Sequence, residues 1–166
     1  MRWWIGAGAF AGMLALTLAL APLRRVLEIA DADTGRVVLC AEMADGEEFV
    51  LAFVHSVNKR PVYETLRAAR DHLVIVGSRF DSFGAGMPES SSGEGTLRRG
   101  ADGWLEWTVN RPVPEVIVRV GRVANHTLTL KGRDIPLAAL AHPGTPLSLR
   151  AEKRSILAVW KGGCLR

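Results

Sequence analysis

His55 and Glu64 stand at the two ends of a short polar segment, His55-Ser56-Val57-Asn58-Lys59-Arg60-Pro61-Val62-Tyr63-Glu64. An imidazole and a carboxylate so placed have three uses: a polar clip that fixes a hairpin, a ligand- or partner-binding pair, or a base held in position by an acid. A second segment, Ser82-Phe83-Gly84-Ala85-Gly86-Met87-Pro88, has the composition of a tight turn ended by a proline. Its glycines permit positive φ and close backbone approach, and exposed amides there suit an anion or carboxylate. It is not a phosphate loop, because neither a Gly-Lys-Ser/Thr sequence nor a helix pattern follows. The candidate surface is therefore His55, Ser56, Glu64, Gly84, Gly86 and Pro88.

The elements that must position these residues read as strands. Side chains alternate across a strand. In the segment 48–56, Phe49, Leu51, Phe53 and His55 share a face; in 61–69, Val62, Glu64, Leu66 and Ala68 share one. His55 and Glu64 thus both fall on apolar faces. With Val57–Arg60 as the loop, Ser56 pairs with Pro61 and the two become diagonal neighbours, about 7–8 Å apart at the backbone. A half-buried Glu wants a partner, so a His55–Glu64 hydrogen bond or ion pair is expected. Ser56 points to the other face in this register, which leaves no nucleophile and no catalytic residue to name. His72, His126 and His142 lack ligand spacing, so neither metal nor other cofactor is implied.

The remaining body is β in pattern. Strands are expected over 36–43, 72–80, 104–109, 115–120, 126–130, 146–152 and 155–160, with a turn at Asp45-Gly46, a Gly/Ser-rich loop over 84–103 and a short helix over 135–142. Many short strands between turn signals predict an all-β fold, an antiparallel sandwich or a barrel-like domain. It spans residues 26–166 as a single unit.

In front of it, Trp3–Leu23 is uncharged for 21 residues between Arg2 and Arg24-Arg25. At about 1.5 Å per residue a helix of that length crosses the ~30 Å hydrocarbon layer. Residues 1–25 are therefore read as a transmembrane anchor or signal peptide. Ala19-Leu20-Ala21 has the form of a cleavage site, but Pro22 would follow the scissile bond, which favours an uncleaved single-pass anchor. Charge does not orient the span, with Arg2 on one side and Arg24 and Arg25 on the other. The net charge of +4 is largely local: residues 1–25 hold three Arg and no acid, and the rest balances 18 basic against 17 acidic side chains. No basic stripe interleaved with aromatics is present, which excludes a nucleic-acid footprint. Cys40 and Cys164 form one bridge in an exported domain or remain two unrelated thiols.

Taken together, His55-Ser56-Val57, Pro61-Val62, Glu64 and Phe83-Gly84-Ala85-Gly86-Met87-Pro88 resemble the family of domains of unknown function numbered 1850, over roughly Val37 to Val120. The resemblance implies a small exported β domain behind an apolar N-terminal segment, on the periplasmic or outer side of a bacterial cell membrane. It further implies an accessory or interaction module of a TRAP-type uptake system of the TAXI class, with the transporter membrane subunit or its solute-binding protein as partner. A small envelope enzyme using His55 and Glu64, or a purely structural envelope protein, are the alternatives from other classes.

Overall fold

The computed structural model describes residues 21–165 together with Met13, Thr17 and Leu20. The expected anchor falls almost wholly outside the described residues. Among those described, no helix is long and apolar enough to cross a membrane.

Residues 24–165, all described, form eleven strands followed by one short α-helix. A four-stranded antiparallel sheet runs in the order β2 (Val37–Glu42), β1 (Arg24–Asp31), β11 (Pro146–Arg154), β8 (Val116–Arg119). A seven-stranded antiparallel sheet runs β10 (Arg133–Pro136), β9 (Thr127–Leu130), β3 (Glu48–Val54), β4 (Pro61–Ala68), β5 (Leu73–Phe80), β7 (Leu105–Val113), β6 (Gly95–Arg99). One core joins the two sheets: Leu27, Ile29 and Leu149 from the first pack with Phe49, Leu66 and Leu128 from the second, all at most 2% exposed. Burying such a set is the main driving force for the fold.

β1 lies between β2 and β11, and Val26 to Ala30 are buried without alternation. Covered on both faces, it carries no period-2 signal, so its pattern does not mark it as a strand. Its one buried charge, Glu28, receives the guanidinium of Arg154 across the sheet. The first strand begins at Arg24, so both arginines that follow the apolar segment belong to it.

Four local expectations are corrected. The segment 84–103 is not all loop, because Gly95–Arg99 adds the edge strand β6 beside β7. β7 continues past Val109 to Val113; β6 pairs only with residues 105–109, so Pro112 lies where no further strand needs its missing N–H. Residues 135–142 are not a helix: Ile135 and Pro136 end β10, followed by a single 3-10 turn, Leu137–Ala139. The segment 155–160 is not a strand but the start of α1 (Ile156–Lys161), where the Ser155 hydroxyl caps the amide of Ala158 at 3.1 Å. The chain then returns to β2, where Cys164 and Cys40 are joined in a disulfide with Cα atoms 4.5 Å apart. Leu165 seals the junction by exchanging backbone hydrogen bonds with Cys40 and Glu42.

Candidate functional site

The β3–β4 hairpin pairs Val54 with Pro61, Phe53 with Val62 and Leu51 with Glu64. Its loop is therefore six residues, 55–60, rather than four. The register is displaced by two residues from the expected one, which keeps every side chain on its anticipated face but separates His55 from Glu64. They form neither a hydrogen bond nor an ion pair, and the expected contact is corrected accordingly.

The loop's own chemistry explains its length. The Asn58 side-chain oxygen accepts from the Arg60 amide at 3.0 Å, and Lys59 adopts a left-handed conformation with φ 58°. His55 and Arg60 close the loop by a backbone hydrogen bond of 2.9 Å, and the Lys59 amide donates to the His55 carbonyl. Such a side-chain turn substitutes for two further ladder rungs.

The same loop clamps the second motif. Asn58 donates its amide hydrogens to the carbonyls of Ser82 (3.1 Å) and Phe83 (3.0 Å), and the Arg60 guanidinium pairs with Asp81. Hydrogen bonding to Arg60 holds the Asp81 carboxyl below the usual carboxylate range. The His55 Nδ1 accepts from the Val57 amide at 3.2 Å, so the proton of the neutral ring sits on Nε2, which donates to the Ala85 carbonyl at 3.2 Å. Gly84 presses onto this contact: a Cβ there would lie 2.8 Å from the His55 ring and 2.9 Å from the Asn58 amide nitrogen. Only glycine fits. Gly86, at φ 81°, turns the chain back, helped by the Met87 amide donating to the Gly84 carbonyl at 3.0 Å.

Thus anchored, Met87 and Pro88 hang over the inner face of the seven-stranded sheet, beyond the part covered by the four-stranded one. Met87, Phe53 and Trp107 pack with buried Val62, Phe80 and Leu105 in a second, smaller apolar cluster. Between it and the main core lie two adjoining clefts of about 500 and 470 Å³ that share Glu64, Ser78, Gly86, Met87 and Pro88. His55 and Ser56 stand at the wall of the second. Five of the six candidate residues therefore line these clefts, and the sixth, Gly84, packs against His55 behind the wall.

The floor of the first cleft is made by two rows across the sheet. Glu64, Ser78 and Trp107 are paired in register on β4, β5 and β7; in the next row Ile75 and Arg111 reach the cleft, while Leu66 is buried in the main core. Ser78 and Ile75 are three residues apart and would ordinarily face opposite sides. A bulge between Ile75 and Gly77 reverses the parity and brings both to the cleft. Gly77 permits it, since a Cβ there would come within 2.2 Å of the Trp107 carbonyl oxygen.

Glu64 is half-buried and accepts no hydrogen bond from any described residue. Burial pushes its carboxyl above the ordinary value, while the guanidinium of Arg111 pulls the other way without closing into an ion pair. His126, at the far wall of the second cleft, has its pKa lowered by burial, and its Nδ1 accepts from the Gly121 amide at 3.3 Å. Among the described residues, no three His, Cys, Asp or Glu side chains form a metal-binding group.

A family model described as Domain of unknown function (DUF1850) matches residues 49–137, just over half of the chain. The chain belongs to the DUF1850 family. The DUF1850 match runs from β3 to the 3-10 turn, so it contains both motif segments, Glu64 and Arg111, and leaves out β1, β2, β11 and the disulfide. No curated protein and no solved structure matches the chain.

Asn58, Ser78, Trp107, Arg111 and His126 complete the site and were not marked by the motif reading, whereas Met87 lies inside the Gly84–Pro88 turn that was. Asn58 carried a usable signal, because an Asn in a loop bounded by strands regularly folds its side chain onto the backbone. Arg111 carried none, since it precedes a proline that reads as the end of a strand.

Proposed function

We propose that the protein is a membrane-anchored accessory module that binds, rather than transforms, its ligand or partner, in a TRAP-type uptake system of the TAXI class. One observation carries the reading. Both ring nitrogens of His55 are spent, Nδ1 on the Val57 amide of its own loop and Nε2 on the Ala85 carbonyl of the other, while Glu64 faces the cleft with its carboxyl unsatisfied. A general base needs a free lone pair aimed at a substrate and a nucleophile needs a base beside it; an unsatisfied acceptor in a cleft needs only a donor. The enzyme alternative has correspondingly less support.

The disulfide between Cys40 and Cys164 supports a domain on the periplasmic or outer side, where thiols are oxidised. The uncharged stretch Trp3–Leu23, ending one residue before β1, supports a single-pass anchor. Val57, Phe83 and Val123 are 64%, 42% and 74% exposed on three separate loops near the cleft, an apolar rim suited to the transporter membrane subunit or its solute-binding protein. The TRAP assignment itself rests on the family resemblance.

The test is a pull-down of the full chain from its native membranes in mild detergent, with the co-purifying proteins identified by mass spectrometry. Recovery of a multi-span transporter subunit is expected. A preparation free of any transporter component, repeated after cross-linking, contradicts the accessory role.

A further inference from the structure

The first cleft carries both signs of charge without neutralising them. Glu64 rises from its floor and exposed Glu94 from the roof loop, while Arg111 closes one end. No side-chain hydrogen bond or ion pair links Arg111 to any described residue, and its guanidinium acts on Glu64 through space. A salt bridge between the two would have used up both groups. Instead they look across a space of about 500 Å³, within the range of a small-molecule site. Ile75, Met87, Trp107 and Val109 supply an apolar strip of its wall, and Ser90 and Ser92 add polar groups beside it. Ser78 adds a hydroxyl between Glu64 and Trp107 in the same row of the sheet.

A ligand carrying only an anion would meet Arg111 but also two carboxylates. One carrying only a cation would satisfy Glu64 and leave Arg111 unpaired. One with no charge would leave both as they are. We infer that the cleft bounded by Glu64 and Arg111 takes a small zwitterion of the α-amino-acid type with an apolar side chain. Its ammonium donates to Glu64, its carboxylate takes the planar fork of Arg111, and its side chain lies against Trp107 and Val109. This rests on the binding reading of the cleft and adds the class of ligand.

Calorimetric titration of the full chain in detergent separates the possibilities with three probes that share one apolar body: L-leucine, leucinamide, which lacks the anion, and 4-methylpentanoate, which lacks the cation. L-leucine is expected to bind, and each of the other two to bind about tenfold or more weakly, the cost of losing one charge-assisted hydrogen bond. Glu64→Gln should weaken L-leucine by a similar factor while leaving 4-methylpentanoate unweakened, and Arg111→Gln should weaken L-leucine likewise while leaving leucinamide unweakened. Glu48→Gln, on the exposed end of β3, is the control expected to change nothing. The inference is overturned if a folded wild-type chain binds none of the three. It is equally overturned if 4-methylpentanoate or leucinamide binds as tightly as L-leucine, or if Glu64→Gln leaves L-leucine binding intact. Each of these results leaves the pull-down free to succeed, so the ligand class and the accessory role fail separately.

Discussion

The two halves of the inner face of the seven-stranded sheet are covered in different ways. One half is covered by another sheet, and the result is a dry core in which Phe49, Leu66 and Leu128 meet Leu27, Ile29 and Leu149. The other half is covered by a loop, pinned at Gly84 and Asn58, and beneath it a carboxyl, two clefts and only three fully buried side chains remain. A sheet brings side chains every second residue and fills the space it covers. A glycine-rich turn brings few side chains and leaves a gap. The fold thus places a filled core and an open cleft along the length of the same strands.

The contrast has consequences that can be measured. Phe49→Ala, in the sheet-covered half, should cost about 3–5 kcal/mol, whereas Met87→Ala, in the loop-covered half, should cost no more than about 1–2 kcal/mol. Urea unfolding of the two variants checks this, and equal losses would remove the distinction. Gly84→Ala comes next. Its methyl group must push the His55 ring or Asn58 aside, an overpacking cost of about 1–3 kcal/mol. Asn58→Ala should cost about 1–2 kcal/mol by releasing the carbonyls of Ser82 and Phe83. For both variants, hydrogen exchange should quicken in residues 81–88 before it does in β1 or β11; uniform quickening would mean that the loop and the core unfold as one unit.

The smallest effect is a dependence on pH. Because burial raises the Glu64 carboxyl, the folded state binds its proton more tightly than the unfolded chain. Stability contributed by that proton is present below the ordinary value of 4.5 and is lost as pH rises through the raised folded value. His126 runs the other way: its lowered pKa means that stability falls as pH drops from 6.5 through the folded value. Glu64→Gln should therefore flatten the first slope and leave the second. If the variant's pH–stability curve superimposes on that of the wild type, burial of Glu64 carries no energetic consequence.

Much of the sheet scaffold was legible because its strands are covered on one face. Phe49-Leu51-Phe53 and Val62-Leu66-Ala68 alternate cleanly, and that alternation placed Glu64 on the inner face correctly. The pairing partner of Glu64 was not legible. It depends on whether the hairpin loop is four or six residues, and that is decided by the Asn58 side chain and the left-handed Lys59, not by hydrophobic pattern. A shift of two residues preserves every face and so leaves no trace in the pattern. β1 was hidden for the opposite reason, since burial on both faces erases the period. β6 was hidden by composition, because Gly95 is needed to admit the ring of Trp107, whose Cζ2 would lie 2.5 Å from a Cβ. α1 reads as an apolar strand until Ser155 is recognised as its cap. The cleft depends on the bulge at Ile75–Gly77, which gathers Ser78 and Ile75 on one side. No one-dimensional period reveals such a reversal.

The central claim is that His55 is a structural pin and Glu64 a free acceptor. It is tested most directly by urea unfolding of His55→Ala and Glu64→Gln side by side at neutral pH. The account predicts that His55→Ala loses about 1–3 kcal/mol, since it frees the Ala85 carbonyl and the Val57 amide, while Glu64→Gln is as stable as the wild type or more so. A Glu64→Gln variant as destabilised as His55→Ala would contradict it and make Glu64 part of the clip.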